Sequence, residues 1–458
     1  MLTENKISAV DRRMFLKSAA ASAMLAAPGP VVAQSLETAA SRPSESDHHQ
    51  TAERRPAMSN GGLSKARLGR MHDIMAGYVA RGEVPGMVTL VSRRGEVHVD
   101  AIGAKAAGGN PMWRDTIFRI SSMTKPITAV AAMILVEECK LRLDEPVDRL
   151  LPELANRKVL KRIDGPLDET VPANRPITVR DLLTFTMGFG LVFVPRDASP
   201  ILKAANEQQI GMGAPAPSAT PAPDEWMRRL GTLPLMYQPG ERWMYNTGAD
   251  VLGVLIARAS GQPLEAFFRE RIFEPLGMKD TAFSVPAGKL DRLATSYWTN
   301  FRTGATEIYD QAKGGQWSQP PAFPSGAGGL VSTADDYLAF GQMMLNRGKL
   351  GGVRILSRPS VEIMTTDQLT AAQKALGLVP GYFDNHGWGF CMSINTWRDD
   401  VAGSVGRYGW DGGLGTSWYS DPREEMVTIL MTQRAWTSPS PLNVCRDFWT
   451  SAYQSIDD

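Results

Sequence analysis

The order of hydrophobic patterns along the chain limits its fold more than any other feature. Patterns typical of β-strands occur near both ends, whereas the middle alternates between helical patterns and loops. The predicted strands are 86–91, 96–99, 388–390, 416–419 and 426–431, with a hairpin turn at 93–95 between the first two. This order predicts one α/β domain built from residues 61–140 and 325–458, with a mostly helical domain, residues 141–324, inserted between its halves.

The first 60 residues are interpreted as an export signal followed by a leader segment, not as part of the folded domains. Arg12 and Arg13 precede an apolar stretch and a small-residue cleavage pattern ending at Ala33, an order typical of a twin-arginine export signal over residues 1–33. The apolar stretch is too short to span a bilayer, so no stable membrane anchor is predicted. Residues 34–60 are polar and predict a disordered leader. The expected location is therefore periplasmic or secreted.

Composition excludes several classes of function. The net charge is +1 and no basic block occurs, so no nucleic-acid partner is expected. Five histidines and three cysteines lack metal-ligand spacing, so neither a metal nor another cofactor is predicted. One disulfide remains open, as does the oligomeric state. No G-x-S-x-G elbow occurs, which argues against a Ser-His-Asp triad.

Ser122 and Lys125 form an S-x-x-K pattern at the start of an apolar helical stretch. Residues three apart share one helix face, so the hydroxyl and the amine can converge there. Pro126 fits the first turn of a helix, where its missing N–H removes no bond. Packing against an apolar helix would desolvate Lys125, lower its pKa and make it a usable base. The alternative interpretation is an N-cap serine beside a solvated lysine.

Two further segments carry groups that would complement a serine nucleophile. Tyr245 lies in a turn that leads into a helix, and a phenol near a lysine amine can have its pKa lowered and shuttle a proton. Its alternative role is that of a half-buried structural tyrosine. A glycine-rich segment, 409–418, precedes a strand, and one of its N–H groups could complete an oxyanion hole with the N–H of Ser122. The alternative here is a tight hairpin without a ligand.

The three segments, in this order, resemble those of serine β-lactamase-like hydrolases, and most closely those of the family VIII carboxylesterases, relatives of class C β-lactamases and D-peptidases. The similarity extends from about Leu63 to Tyr453. The resemblance implies a β-lactamase/transpeptidase-like fold, an antiparallel sheet flanked by helices. It also implies that Ser122 is the nucleophile, Lys125 the base and Tyr245 the proton shuttle, with the N–H groups of Ser122 and Gly413 as oxyanion hole.

Departures from the β-lactamase pattern indicate which charge of substrate is disfavoured. The family's Tyr-x-Asn becomes Tyr245-Asn246-Thr247, and its Lys-Thr-Gly becomes Trp410-Asp411-Gly412. In the family this lysine and threonine bind the β-lactam carboxylate, so tryptophan and aspartate should disfavour an anionic substrate. Substrate contacts are expected from Thr247, Trp410, Asp411 and Gly412.

These patterns lead to one functional hypothesis and two alternatives. The hypothesis is a serine carboxylesterase that acts on a small-molecule ester through an acyl-enzyme on Ser122. One alternative keeps the chemistry with a β-lactam, D-amino-acid peptide or amide substrate. The other is an inactive binding protein on the same scaffold. Two features stay open: whether the low-complexity loop 211–223 overhangs the site, and whether four aromatic residues line a cleft or the core, namely Phe193, Trp388, Phe390 and Trp418.

Overall fold

A seven-stranded antiparallel sheet forms the centre of the protein. The computed structural model describes residues 61–192, 199–300, 302–377, 381–438 and 442–458, and the predicted export signal and leader lie outside them. The strand order is β11-β12-β13-β14-β15-β1-β2. These strands are β1 (Gly86–Arg93), β2 (Glu96–Gly103), β11 (His386–Trp388), β12 (Ser393–Asn395), β13 (Tyr408–Gly412), β14 (Thr416–Asp421) and β15 (Met426–Thr432). The first and last strands of the chain are neighbours, since Leu90 pairs with Ile429.

The remaining strands form four short two-stranded pairs: β3 with β8, β4 with β5, β6 with β7 and β9 with β10. Their bounds are β3 (Phe118–Arg119), β4 (Lys158–Leu160), β5 (Thr170–Pro172), β6 (Ser296–Thr299), β7 (Thr306–Asp310), β8 (Val331–Ser332), β9 (Lys349–Leu350) and β10 (Val353–Arg354). The pair of β3 and β8 matters most for function, because β3 ends directly before Ser122.

Helices cover both faces of the sheet and fill the middle of the chain. They are α1 (Lys65–Ala80), α2 (Thr124–Glu137), α3 (Val179–Thr184), α4 (Pro200–Glu207), α5 (Pro223–Thr232), α6 (Thr247–Ser260), α7 (Leu264–Phe268), α8 (Glu274–Leu276), α9 (Ala334–Leu345), α10 (Arg358–Met364), α11 (Ala371–Ala375), α12 (Tyr382–Asn385) and α13 (Asn443–Gln454). A π-helical turn, Arg269–Phe273, joins α7 to α8.

The central strands β1 and β15 are buried on both faces because apolar residues occupy most of their positions, whereas the edge strand β2 is mostly half-buried or exposed. Val88 and Leu90 belong to the large hydrophobic core that contains α2 and α9. Met87 and Val91 instead join a second core with α1 and α13. Successive side chains of a strand point to opposite faces, so a continuous apolar run predicts a sheet covered on both sides. The result is a helix–sheet–helix arrangement in which α2 packs into the largest core.

The antiparallel sheet, the hairpin of β1 and β2 and the two C-terminal strands agree with the sequence prediction. The predicted strand over 388–390 is wrong in its bounds, since β11 covers His386–Trp388 and Cys391 then takes a left-handed φ of 59°. The large core extends from the sheet through the helices of the middle segment without a break. The proposed boundary between the two domains therefore stays a prediction. Within the described ranges, no helix has both the length and the apolar character needed to cross a membrane.

Candidate active site

Ser122 lies in a short 3₁₀ turn, Ser121–Met123, which connects β3 to α2. The residue before it, Ser121, has a φ of 45°. This is a left-handed backbone conformation that residues other than glycine rarely adopt. Such local strain persists only when the surrounding structure holds it in place, and it is concentrated at functional sites. The turn directs Ser122 into a cavity while α2 continues into the core.

Lys125 is fully buried at the start of α2. Its Nζ lies 2.9 Å from Ser122 Oγ and donates to the carbonyl of Ala327 at 2.6 Å. Desolvation by burial is the main influence on the amine and lowers the pKa of Lys125 to about 7. The predicted desolvation and the predicted convergence of hydroxyl and amine are confirmed. The alternative of an N-cap serine beside a solvated lysine is wrong, because the lysine is buried and Ser122 caps no helix.

Tyr245, more than a hundred residues further along the chain, meets this pair. Its hydroxyl lies within hydrogen-bonding reach of Ser122, and Lys125 Nζ is 4.6 Å from the centre of its ring. Trp410 Nε1 donates to the same hydroxyl at 2.8 Å. Burial raises the pKa of Tyr245, which is opposite to the direction expected from the sequence. The phenol is therefore protonated in the resting protein, and the lysine is the group whose pKa suits a base.

An aromatic cluster holds Tyr245 in position. The ring of Tyr245 packs at 5.8 Å from Phe185, 5.6 Å from Trp243 and 5.7 Å from Trp410. Asn246, directly after it, has a φ of 102°, so the chain turns sharply before α6 begins. Ring contacts of this kind add about 0.5–1.5 kcal/mol each to the burial of the side chains. The cluster therefore restricts the direction in which the phenol points.

Asp250 is a candidate functional residue that the sequence analysis missed. It is buried on the first turns of α6, and its Oδ1 accepts from Ser325 Oγ at 2.6 Å and from the N–H of Ala327 at 3.1 Å. The carbonyl of Ala327 is the acceptor for Lys125. Burial raises the pKa of Asp250, and its negative charge opposes the lowering of the Lys125 pKa. An acidic residue within an apolar helical pattern was the signal available in the sequence.

The end of β13 forms the opposite wall of the site. Tyr408 and Gly409 pair with β12, but Trp410 to Gly412 pair only with β14, so this edge of the sheet faces the cavity. Gly413 follows directly and lines the same cavity as Ser122. The carbonyl of Gly413 accepts from the N–H of Trp436 at 2.9 Å, which fixes the orientation of that turn. The two predicted oxyanion donors, Ser122 and Gly413, thus border one space.

Of the four predicted substrate contacts, Trp410 lines the cavity and two others do not. Thr247 is fully buried and does not border the cavity, whereas its neighbour Asn246 does, because the positive φ of Asn246 turns the chain. Gly412 is a packing position. A Cβ there would lie 2.3 Å from the carbonyl oxygen of Ile120 and 2.1 Å from Thr416 Oγ1. Its role is to let β13 approach the turn that carries Ser122.

Asp411 borders the cavity, but on the other face of the sheet from Trp410. Adjacent residues of a strand point to opposite faces. Its Oδ2 accepts from the hydroxyl of Tyr419 at 2.9 Å, and the Tyr419 ring packs 5.4 Å from Trp449 of α13. Desolvation raises the pKa of Asp411 to about 6. The carboxylate charge nevertheless adds to the rise that burial causes in the pKa of Tyr245, and the predicted substrate contact of Asp411 stays a prediction.

The cavity has a volume of about 930 Å³ and is large enough for an organic ester with two sizeable substituents. The low-complexity loop lines it with residues 211–217 and Thr220, so this loop is part of the wall. Trp388, Phe390 and Trp418 are fully buried in the core and do not line it, and Phe193 lies outside the described residues. In the described ranges no group of three metal-ligating side chains occurs, and all three cysteines are free thiols.

Comparisons with known proteins agree with this geometry. The family model described as Beta-lactamase matches residues 71–442. Protein Rv1367c of Mycobacterium tuberculosis (strain ATCC 25618 / H37Rv) is 40% identical over 77% of this chain and 86% of its own length. Esterase EstB of Burkholderia gladioli is 31% identical over 78% of this chain and 88% of its own length. A solved structure, "EstCE1, a hydrolase with promiscuous acyltransferase activity", is 25% identical, with a TM-score of 0.68, and covers 86% of this chain and 99% of its own. The chain therefore belongs to the Beta-lactamase family and is a serine hydrolase with the β-lactamase fold.

Proposed function

We propose that this protein is a carboxylesterase that works through an acyl-enzyme on Ser122. The observation that carries the proposal is the 2.9 Å contact between Lys125 Nζ and Ser122 Oγ, with the Tyr245 hydroxyl within reach of the same serine. A nucleophile beside a base of pKa about 7, and a protonated phenol on its other side, is the set of groups that ester cleavage needs. The similarity to Esterase EstB supports the same substrate class.

Acylation begins when the neutral amine of Lys125 takes the proton of Ser122. The serine oxygen bonds to the ester carbonyl carbon, and the carbonyl oxygen becomes an oxyanion that the N–H groups of Ser122 and Gly413 stabilise, each by about 3 kcal/mol. The tetrahedral intermediate then collapses and the bond to the alcohol oxygen breaks. Tyr245 donates its proton to the departing alkoxide, and the proton on Lys125 restores the phenol. The alcohol leaves, and the acyl group stays on Ser122.

Deacylation repeats these steps with water. Lys125 removes a proton from a water molecule, whose oxygen attacks the acyl carbon, and Tyr245 supplies the proton that Ser122 Oγ takes as it departs. The bond from the carbon to Ser122 Oγ breaks, the serine regains a proton and a carboxylic acid is released. The burial of Lys125 brings its pKa to about 7, so a large share of the amine is neutral at neutral pH and can accept the proton in both halves of the cycle.

Trp410 supports an ester over a β-lactam substrate. In relatives that cleave β-lactams, a lysine at this position binds the substrate carboxylate, whereas here the indole occupies the position and donates to Tyr245. An indole carries no charge with which to attract a carboxylate. Turnover of nitrocefin that exceeds turnover of a short-chain nitrophenyl ester would reverse this assignment in favour of a β-lactamase. A D-amino-acid amide tested in the same way covers the remaining alternative.

The direct test replaces the nucleophile. Ser122→Ala is expected to abolish hydrolysis of nitrophenyl butyrate, and Ser260→Ala, at the far end of α6, serves as a matched control that retains it. A fluorophosphonate probe should label the wild-type protein and the control but not Ser122→Ala. Undiminished turnover by Ser122→Ala would end the assignment, and absence of both turnover and labelling in the wild type would favour an inactive binding protein.

Export is a separate part of the proposal. Arg12 and Arg13, followed by an apolar stretch and Ala33, support twin-arginine export to the periplasm or beyond. Replacing both arginines by lysine should retain the precursor in the cytoplasm, whereas the unchanged precursor should be cleaved after Ala33 and recovered outside it. Unaltered recovery outside the cytoplasm by the lysine variant would contradict this route.

A further inference from the structure

The low-complexity loop, here called loop 211–220, gives the cavity an apolar wall. Residues 211–217 line the cavity, and they are glycine, methionine, alanine and proline only. Trp226, on the helix that follows the loop, and Phe323 line the same cavity with their ring centres 5.1 Å apart. A wall of this composition suits the hydrocarbon part of a ligand, because burial of apolar area is favourable and no hydrogen bond to water is lost.

The charged residues that line the cavity belong to other elements. Asp250 Oδ1 already accepts from Ser325 Oγ and from the N–H of Ala327. The other charged residues of the lining, within the described ranges, lie on the connection from β12 to β13, on β13 itself or on α13, and are Asp399, Asp400, Arg407, Asp411 and Arg446. Loop 211–220 is therefore the part of the wall that suits an apolar group.

Two side chains from one neighbouring segment hold this loop. Loop 211–220, which the structure describes in full, contains neither helix nor strand. The Tyr309 hydroxyl, near the end of β7, donates to the carbonyl of Pro215 at 2.5 Å, and Gln316 Oε1 accepts from Ser218 Oγ at 2.9 Å. Burial raises the pKa of Tyr309 to about 12, so the hydroxyl keeps the proton that it donates. Because proline has no N–H, its carbonyl is the only backbone group through which a hydrogen bond can hold Pro215.

The residue that Tyr309 holds also packs against the backbone of the catalytic site. A Cβ on Gly328 would lie 2.8 Å from Pro215 Cγ and 3.8 Å from the carbonyl carbon of Ser121. Gly328 directly follows Ala327, whose carbonyl accepts from Lys125. Pro215 therefore brings the loop wall directly beside the base and the turn that carries the nucleophile.

The segment around Tyr309 is joined to the nucleophile by a second route. Its neighbour Asp310 forms a buried ion pair with Arg119 of β3, in which Arg119 Nε lies 2.7 Å from Asp310 Oδ2. Ser122 follows Arg119 by three residues. The end of β7 therefore holds both the loop wall and the strand that leads to Ser122, so one element fixes the distance between the wall and the nucleophile.

We propose that Tyr309 is a positioning residue, and that through Pro215 it holds loop 211–220 as the wall that selects esters with an extended apolar group. The proposal rests on the ester hydrolysis proposed above and names a substrate class for it. A wall that hydrogen bonds already hold needs no ordering when the substrate binds, so contact with it avoids that entropic cost. Each methylene that the wall buries should raise kcat/KM about three- to four-fold.

The test uses two series of esters, each of which lengthens one side of the ester bond. The acyl series is nitrophenyl acetate, butyrate and hexanoate, and the alcohol series is ethyl, butyl and hexyl acetate. In the wild type, kcat/KM should rise about ten-fold or more from the shortest to the longest member of one series. The series that rises identifies the side of the ester that faces the loop. Equal values along both series would overturn the proposal.

Tyr309→Phe removes the hydroxyl that holds the loop and keeps the ring. In the series that rises, the ratio of kcat/KM between the longest and the shortest ester should fall about five-fold, as expected for one lost hydrogen bond. The fall should come from a higher KM for the longest ester, with kcat and the values for the shortest ester unchanged. An unchanged ratio, or an equal loss on short and long esters, would overturn the proposal.

Tyr297→Phe is the matched control for this variant. Tyr297 lies on β6, the partner strand of β7, and its hydroxyl accepts from the N–H of Ala107 at 2.9 Å. The residue does not belong to the described lining of the cavity. Its variant loses a hydrogen bond of the same hairpin and should keep the wild-type ratio. The same fall in Tyr297→Phe as in Tyr309→Phe would overturn the proposal.

Gln316→Ala tests the second side chain that holds the loop. It removes the acceptor of Ser218 and leaves the hydrogen bond from Tyr309 to Pro215 in place. The ratio of kcat/KM should fall in the same direction as in Tyr309→Phe, and the double variant should lose more than either single variant. A wild-type ratio in the double variant would overturn the proposal.

A binding measurement separates this proposal from the proposed function. Calorimetry with Ser122→Ala should show tighter binding of the longest ester than of the shortest in at least one series. The double variant with Tyr309→Phe should lose most of this difference. If the wild type hydrolysed no ester, the proposed function would fail, yet calorimetry would still decide the role of Tyr309. Equal affinities within both series would overturn that role even if hydrolysis were confirmed.

Discussion

Trp410 Nε1 donates a hydrogen bond of 2.8 Å to the Tyr245 hydroxyl, so the residue that replaces the family's lysine contacts the proposed proton shuttle. A donor to the phenol oxygen favours its ionised form and offsets part of the rise in pKa that burial causes. The tryptophan therefore makes the phenol a better acid than its apolar surroundings alone would allow.

The first prediction tests this relationship through the leaving group. Trp410→Phe should raise the pKa of Tyr245 further and slow protonation of the departing alkoxide. Ethyl butyrate, with a poor leaving group, should lose about ten-fold or more in kcat. Nitrophenyl butyrate should lose less, because nitrophenolate departs without a proton. Trp113→Phe, at a half-exposed surface position, is the matched control. Equal losses on both esters would contradict the role given to this hydrogen bond.

The second prediction concerns pH. Lys125 must be neutral to take the serine proton, and burial lowers its pKa to about 7. The rate should therefore fall as the pH drops below about 7 and reach a plateau above it. Lys125→Arg should no longer show this fall in rate below pH 7, since arginine stays protonated. Its kcat/KM should drop by about a thousand-fold or more. A wild-type pH profile of kcat/KM without a midpoint near 7 would contradict Lys125 as the base.

The third prediction assigns Asp250 a positioning role. Asp250→Asn keeps the size of the side chain and an oxygen for Ser325 and Ala327, but removes the charge that raises the Lys125 pKa. The midpoint of the pH–rate profile should therefore move to lower pH. Asp250→Ala, which also removes the acceptor, should instead lower thermal stability. A midpoint that stays in place, or moves to higher pH, in Asp250→Asn would show that the carboxylate does not influence the amine.

The fourth prediction concerns Gly412. A methyl group at this position would lie within 2.3 Å of the Ile120 carbonyl oxygen, so the strand would have to move away from the turn that holds Ser122. Gly412→Ala should cost about 1–3 kcal/mol in the free energy of unfolding and lower kcat. Gly288→Ala is the control, because a Cβ there meets nothing within 4 Å. Wild-type stability and kcat in Gly412→Ala would contradict the close approach.

Local features of this site could be predicted from the sequence, whereas side-chain directions could not. The convergence of Ser122 and Lys125 follows from helical spacing alone. The approach of Tyr245 depends on the packing of α6 against α2, and only the resemblance to a family indicated it. Thr247 was misassigned because the positive φ of Asn246 that turns the chain cannot be read from residue type. Asp411 borders the cavity as expected, and strand alternation places its side chain on the opposite face from Trp410.

The role of Ser122 is tested most directly by trapping the acyl-enzyme. Wild-type protein quenched with acid during turnover of nitrophenyl butyrate is digested, and the peptides are analysed by mass spectrometry. The account predicts one butyryl group on the peptide that contains Ser122, with fragmentation placing it on that serine, and a larger trapped fraction in Tyr245→Phe. A butyryl group on another residue, or steady turnover with none trapped on Ser122 in either protein, would contradict it.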